Sequence, residues 1–270
     1  MDLSADPSQG ADPRHDDDST KGRHPDVELQ ANQESIIVDV ATSHRRTLYY
    51  ASKRAIDFTI ALGLLVLTAP LSLATAIALK IDSRGPAIFV QDRLRGRRRR
   101  VDGRDEWSIE TFKLFKFRTM IYGADPGFHR AHMAAYIAGD NQLIRQPYGG
   151  NKSSYKLQDD SRVTRVGRVL RNLSLDELPQ FWNVLKGDMS LVGPRPLLAY
   201  EVEQFDRHHL QRFACPAGIT GLAQVKGRCG LRFEEMIRRD LEYVARPSLA
   251  RDISILFKTI PVVLSRKGAG

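Results

Sequence analysis

Residues 58–79 form a run of 22 residues without a single charge, and few folds can absorb such a segment. A bilayer core takes about 20 apolar residues as a helix, so its length permits a crossing. Pro70 sits near the middle. It removes a backbone donor and crowds the preceding turn, which predicts a sharp bend there. Basic residues flank both ends: Lys53 and Arg54 before it, then Lys80, Arg84, Arg93, Arg95 and Arg97 to Arg100 after it. Positive charge favours one side of a membrane, so two basic flanks place both ends on that side. The expectation is a re-entrant helix-break-helix hairpin turning at Pro70. Each arm of roughly ten residues, at about 1.5 Å per residue, reaches about halfway through the core. A kinked single span and a buried core helix are the alternatives.

Charge is unevenly distributed. Residues 1–44 hold ten acidic and three basic side chains, a balance of −7, so a net +9 leaves +16 on the rest. A basic body suits anionic partners such as phospholipid head groups, phosphorylated substrates or nucleic acid, and the apolar run favours lipid over nucleic acid. The acidic segment, with Asp16-Asp17-Asp18 and scattered Pro, Gly and Ser, has the composition of a disordered tail. No basic-then-apolar secretory leader opens the chain. Cys215 and Cys229 have neither zinc nor redox spacing.

The expected organisation is an acidic tail over 1–46, the membrane hairpin over 47–82 and a basic domain over 83–270, which the resemblance given below makes a cytoplasmic catalytic domain. The fold class is α+β, predominantly helical, with a short β element and interfacial amphipathic helices. Ala87 to Gln91 reads as a short strand and Arg93 to Arg104 as a basic loop. Phe115 and Phe117 alternate with Lys116 and Arg118, which predicts extended chain over Glu110 to Met120. Residues 121–160 read as a long loop with one helix near Phe128 to Ala138. Phe233 to Ala245 and Ser248 to Leu264 are amphipathic; for the second, core packing and the head-group interface are both open. His129, His132, His208 and His209 read as surface histidines, because neither pair has a third spaced ligand.

The chemistry concentrates in two motifs. Asp176-Glu177 lies in Ser174-Leu175-Asp176-Glu177-Leu178-Pro179, and Gly193-Pro194-Arg195-Pro196 follows shortly after. Carboxylates among cations suit phosphoryl transfer, as nucleophile, metal ligand and counter-charge. Ser174-x-x-Glu177 also matches a helix capping box, so a structural role stands beside the chemical one. Two prolines around Arg195 fix its angle, as a phosphate-gripping fork requires. Arg162, Arg165, Arg168 and Arg171 recur every third residue. Either they are a solvated helix face or they bind phosphates.

In combination these segments resemble the bacterial sugar transferase family, the monotopic polyprenyl-phosphate glycosyl-1-phosphate transferases. The resemblance rests on Lys53-Arg54-Ala55-Ile56-Asp57, the proline-broken apolar run, Phe115 to Met120, Arg162 to Arg168, Leu173 to Pro196, and Gly218 to Arg228. It covers about residues 50–265 and corresponds to the small catalytic core alone. The Cys215 to Gly221 bend departs from the family pattern.

The resemblance implies Mg²⁺-dependent transfer of sugar-1-phosphate from a nucleoside diphosphate sugar, usually a UDP-sugar, to undecaprenyl phosphate. UMP would leave, and the lipid-linked sugar would start a surface glycan or glycoprotein glycan. It casts Asp176 as covalent nucleophile, Glu177 as its partner in catalysis and metal binding, and Arg171 and Arg195 as phosphate ligands. Lys116, Arg118, Pro194, Gln224 and Arg228 belong to the implied substrate site. It places the chain on the cytoplasmic face of the bacterial inner membrane. Downstream glycosyltransferases and a homo-oligomer are the protein partners it allows for; nucleic acid is not expected.

Overall fold

The computed structural model describes residues 35–36, 44–101, 104–125, 127–139, 160–227 and 230–265. The acidic segment, residues 140–159 of the long loop, Arg228 and Cys229 lie outside them. All described residues belong to one compact unit, residues 33–270. It is mostly helical with little sheet, an α+β arrangement.

Helix α1 runs from His44 to Asp82 with Pro70 inside it. The secondary structure therefore does not break at the proline, and two separate arms are replaced by one continuous helix. A proline forfeits a single helical hydrogen bond, and in an apolar helix the intact turns on either side outweigh that loss. Thr59 and Thr68 hydroxyls donate to Ala55 O and Leu64 O, at 3.0 and 2.6 Å, so these polar atoms stay paired within the helix. By length and composition α1 is able to cross a membrane. Its middle is bare: Val66, Leu67 and Leu73 are 69, 75 and 65% exposed.

Both ends of α1 dock onto the body. Near the start, Lys53 Nζ meets Asp252 Oδ2 at 2.9 Å, and Leu191 N donates to Asp57 Oδ1 at 3.2 Å. Near the end, buried Leu79 clusters with Phe117 and Leu170. Arg118, 3% exposed, donates through Nη2 to Leu79 O and Ser83 O and through Nη1 to Arg84 O. These are carbonyls left over where a helix ends.

Strands β2 (Ile88–Val101) and β3 (Arg104–Phe117) form one antiparallel hairpin, with Ile88 opposite Phe117 and Val101 opposite Arg104. The basic loop expected over Arg93 to Arg104 is thus mostly strand. Its charges are carried by cross-strand pairing, since Arg95, Arg97 and Arg99 all reach Glu110 on β3 at 3.7, 3.4 and 3.1 Å. The two-residue strand β1 (Ser35–Ile36) pairs along β3 at Ser108 and Trp107.

After α2 (Gly127–Ile137) come α3 (Arg165–Leu173), a 3₁₀ turn (Leu175–Glu177) and α4 (Gln180–Lys186). Strand β4 (Ser190–Val192) pairs in parallel with β5 (Gly218–Thr220). Between these strands lie two one-turn helices, α5 (Ala199–Val202) and α6 (Arg207–Leu210), and the 3₁₀ turn Gln211–Phe213. Helices α7 (Leu222–Gly227), α8 (Phe233–Ala245) and α9 (Leu249–Leu264) complete the described chain. The main core joins Trp107, Phe112 and Leu114 of β3 to Val184, Leu191, Tyr243 and Ile255. Helix α9 buries Asp252 and Ile255 but leaves Phe257, Ile260 and Leu264 at 70, 55 and 74% exposure, so it serves both core and surface.

Candidate active site

The carboxylate pair sits on a sharp corner. Ser174 ends α3 in the left-handed conformation at φ 56°, and its N–H donates to Arg171 O at 3.1 Å. The chain then makes the short 3₁₀ turn carrying Asp176 and Glu177, and Pro179 directly precedes α4. Ser174 makes no side-chain cap bond, so the capping-box alternative is not realised. Both carboxylates are only half-buried. That leaves them open to a ligand.

Arg195 comes from the opposite side. Its segment leaves the end of β4, where Gly193 N donates to Thr220 O and Gly218 N donates to Pro194 O, both at 2.9 Å. The two loops touch backbone to backbone: a Cβ on Gly193 would lie 2.1 Å from Pro216 O, and one on Gly218 would lie 2.1 Å from Gly193 N. Only glycine fits such a contact. Pro194 and Pro196 are buried, while half-buried Arg195 brings Nη1 to 3.7 Å from Glu177 Oε1. Behind it, buried Arg212 donates to Asp240 Oδ2 at 2.6 Å and to Arg195 O at 3.1 Å.

The arginines at three-residue spacing separate. Steps of three fall about 60° short of a full helical revolution, so Arg165 and Arg171 point in different directions. Arg162 lies before the helix and pairs with Asp160 at 2.7 Å; Arg165 and Arg168 face solvent. Arg171 turns inward and donates from Nε to Thr119 Oγ1 at 2.9 Å. Burial pulls its guanidinium below the ordinary value, opposed by Asp176 and then Asp160.

Lys116 projects from β3 into the same neighbourhood. Burial first, then Arg93, push its ammonium down to about 7 against the pull of Asp176, with Arg195 and Arg171 adding to the depression. Lys116, Arg93, Arg171 and Arg195 therefore crowd one pocket of charge around Asp176. A lysine brought near neutrality by desolvation first and like charges second is the kind of group that clusters at functional sites. An arriving anion would relieve that crowding.

Other expected site residues are placed differently. Arg118 is drawn off to cap α1, so its guanidinium serves the fold at this point. Gln224 donates from Nε2 to Ile219 O at 2.9 Å, steadying the Gly218 to Gly221 loop, while its Oε1 is buried without a partner among the described residues. Arg228 lies outside the described residues. Among the described residues no three His, Cys, Asp or Glu side chains gather as a metal site. Mg²⁺ keeps several waters and takes one or two carboxylates plus substrate phosphates, a donor set that Asp176 and Glu177 match.

Three site neighbours were missed. Arg93 read as a basic flank, yet it is 6% exposed, donates to Gln91 Oε1 at 2.8 Å and lies 3.8 Å from Glu201. Gln91, Arg93 and Arg95 alternate along a strand, a period-two signal that was available. His129 and His132 read as surface residues, whereas His132 is 7% exposed and His129 is half-buried. The apolar positions of α2 that bury them carry too short a pattern to show this in sequence.

Comparison with known proteins shows the family of the chain. The family model described as bacterial sugar transferase matches residues 48–266. The exopolysaccharide production protein ExoY of Sinorhizobium fredii is 38% identical over 81% of this chain and 88% of its own length. The UDP-glucose:undecaprenyl-phosphate glucose-1-phosphate transferase of Caulobacter vibrioides is 37% identical over 80% of this chain and 71% of its own. The undecaprenyl-phosphate galactose phosphotransferase of Salmonella typhimurium is 36% identical over 80% of this chain, which spans only 41% of that relative. The matched stretch contains the carboxylate corner, the Gly-Pro-Arg-Pro loop and the long apolar helix, and this chain belongs to the bacterial sugar transferase family.

Proposed function

We propose that this chain transfers sugar-1-phosphate from a nucleoside diphosphate sugar, a UDP-sugar by preference, to undecaprenyl phosphate. The observation that carries the reading is the Asp176-Glu177 corner set among Lys116, Arg93, Arg171 and Arg195. A diphosphate is repelled by an anionic nucleophile until cations neutralise it. The three arginines and Lys116 supply that neutralisation and orient the phosphoryl oxygens. Asp176 then attacks the phosphorus bearing the sugar. The new bond joins a carboxylate oxygen to phosphorus, the bridging P–O bond breaks, and its electron pair leaves with UMP. A phosphate oxygen of the lipid attacks the same phosphorus, and the Asp176 carboxylate departs unchanged.

Asp176 and Glu177 would hold Mg²⁺, which neutralises diphosphate charge when bound. Two visits to one site by two substrates give ping-pong kinetics. Direct attack by the lipid phosphate, without the covalent stage, is the competing route.

Exposed apolar side chains on α1 and α9 support a membrane-bound enzyme. Because both ends of α1 are held by the same body, a re-entrant insertion fits better than a straight crossing. Such an insertion leaves the body on one face, the cytoplasmic one, and basic residues at both ends suit that face. Cysteines introduced at Thr47 and Arg84 should then label from the same side of inverted inner-membrane vesicles. Labelling from opposite sides would replace the re-entrant insertion by a span.

The deciding experiment follows UMP release by detergent-held protein with Mg²⁺ and a panel of UDP-sugars. Donor alone should release a burst of about one UMP per enzyme, and undecaprenyl phosphate should restore turnover. Asp176→Asn should abolish both. A variant that still turns over would remove Asp176 as nucleophile, and turnover without any burst would favour direct attack.

A further inference from the structure

We propose that His129 is a donor-recognition residue: helix α2 holds its imidazole beside the phosphate-binding cations, where Nε2 hydrogen-bonds a hydroxyl of the nucleotide-sugar. This rests on the transfer reading above and names a further contact of that site.

The placement comes from packing. Helix α2 is fixed by Met133 and Tyr136, which cluster with Phe233 and Ile237 of α8, and by Tyr136 Oη donating to Leu231 O at 2.8 Å. Next to His129, Arg130 holds both carboxylate oxygens of Glu203 at 3.1 to 3.2 Å. His129 Nδ1 lies 2.5 Å from Tyr200 Oη. Tyr200 belongs to the segment that continues the Gly-Pro-Arg-Pro loop, and neighbouring Glu201 meets Arg93. The ring is thus tied to the same stretch of chain that presents Arg195.

Its chemistry selects the ligand. With Nδ1 engaged by Tyr200, Nε2 has no hydrogen-bond partner among the described residues. If the tyrosine hydroxyl donates to Nδ1, Nε2 carries the proton and donates; if Nδ1 donates, Nε2 accepts. A hydroxyl satisfies either tautomer, since it both donates and accepts. A phosphate oxygen satisfies only one. Burial, Arg93, His132, Lys116 and Arg195 together push the imidazole down to about 4, so it is neutral at physiological pH and adds no charge to the cation cluster. A neutral hydrogen-bonding group at the edge of an anion site suits the hydroxylated part of a donor whose diphosphate the cations already hold. Both the transferred sugar and the ribose carry such hydroxyls.

The test compares wild type with His129→Ala, His129→Gln and Tyr200→Phe, all as full-length protein in detergent, using UDP-sugar donors and undecaprenyl phosphate. His129→Ala should raise donor KM about tenfold, the range of one lost neutral hydrogen bond, with kcat and acceptor KM within about twofold. His129→Gln should recover most of the affinity, because its carboxamide both donates and accepts. Tyr200→Phe should fall between, since the ring remains while its orienting hydroxyl is gone. Product inhibition separates the two sources: weaker UMP inhibition in His129→Ala places the contact on the ribose, and unchanged UMP inhibition places it on the sugar. A donor KM indifferent to His129→Ala in an active enzyme, or a shift confined to acceptor KM, overturns the inference alone. A wild type that releases UMP from no donor overturns the transfer reading and this inference with it.

Discussion

The β2–β3 hairpin carries positive charge at both of its ends, and the two ends behave differently. Toward the tip, Arg97 and Arg99 are 56 and 50% exposed and share Glu110 across the ladder. Water screens such pairs, and each contributes little. At the base, buried Arg93 and half-buried Lys116 stand with half-buried Arg171 and Arg195, and Asp176, Glu177, Glu201 and Asp160 are the carboxylates that answer them among the described residues. There desolvation first, and then the same kind of charge, depresses a lysine to about 7. Burial, more than the number of arginines, separates a solvated surface from an anion site. Energy left unspent at the base is what a diphosphate would release on binding.

The comparison extends to a third setting, a buried ion pair, and can be broken there first. Arg212 is 1% exposed and paired with Asp240, which is 3% exposed. Removing either partner strands a buried charge, so Arg212→Ala or Asp240→Ala should cost about 3–5 kcal/mol of stability. Thermal unfolding in detergent would show it. If both variants unfold like wild type, burial is a poor guide to electrostatic weight here. Arg195→Ala should instead leave stability nearly intact and lower kcat by about 10²–10³-fold, the usual effect of deleting one preorganised donor to transition-state charge. Arg195→Lys should recover only part, because a point charge cannot reproduce a two-pronged grip.

Lys116 sharpens the contrast through pH. With a folded-state value of about 7 against an ordinary 10.5, it is losing its proton in the free enzyme across neutrality. The unfolded chain binds the extra proton between those values, so this group makes stability rise with pH over about 7 to 10.5. Donor binding should run the other way. Above about pH 7 the free site has shed a charge, and donor KM should climb; Lys116→Met should raise KM at low pH and flatten the profile. A profile identical in the variant would place the titration elsewhere.

What the sequence could show follows from this division. Helices α2, α8 and α9 were legible from short amphipathic patterns and turn residues, and the Asp176-Glu177 corner and Arg195 from motif chemistry. The strand character of Arg93 to Val101 was hidden, because a run of arginines looks like a loop until Glu110 and Asp188 arrive from elsewhere. Arg118 and Arg171 lie in equally basic stretches, and only tertiary packing sends one to the end of α1 and the other to Asp176. His129 needed the partner Tyr200, 71 residues away. Local pattern records which groups are present, whereas long-range contact decides which become buried.

The smallest effect tests the same rule from the exposed side. Arg99 reaches Glu110 at 3.1 Å, an attractive geometry on paper. Half of the side chain is in solvent, Arg95 and Arg97 compete for the same carboxylate, and Arg95 is already held by Asp188 at 3.0 Å. Deleting Arg99 leaves Glu110 with two cations and strands no buried group. Arg99→Ala should therefore change unfolding stability by less than about 1 kcal/mol, shrinking further in high salt, with donor KM unmoved. A large loss would mean that the hairpin tip behaves as a desolvated network, and the base of the hairpin would lose its distinction as the place where buried positive charge awaits an anion.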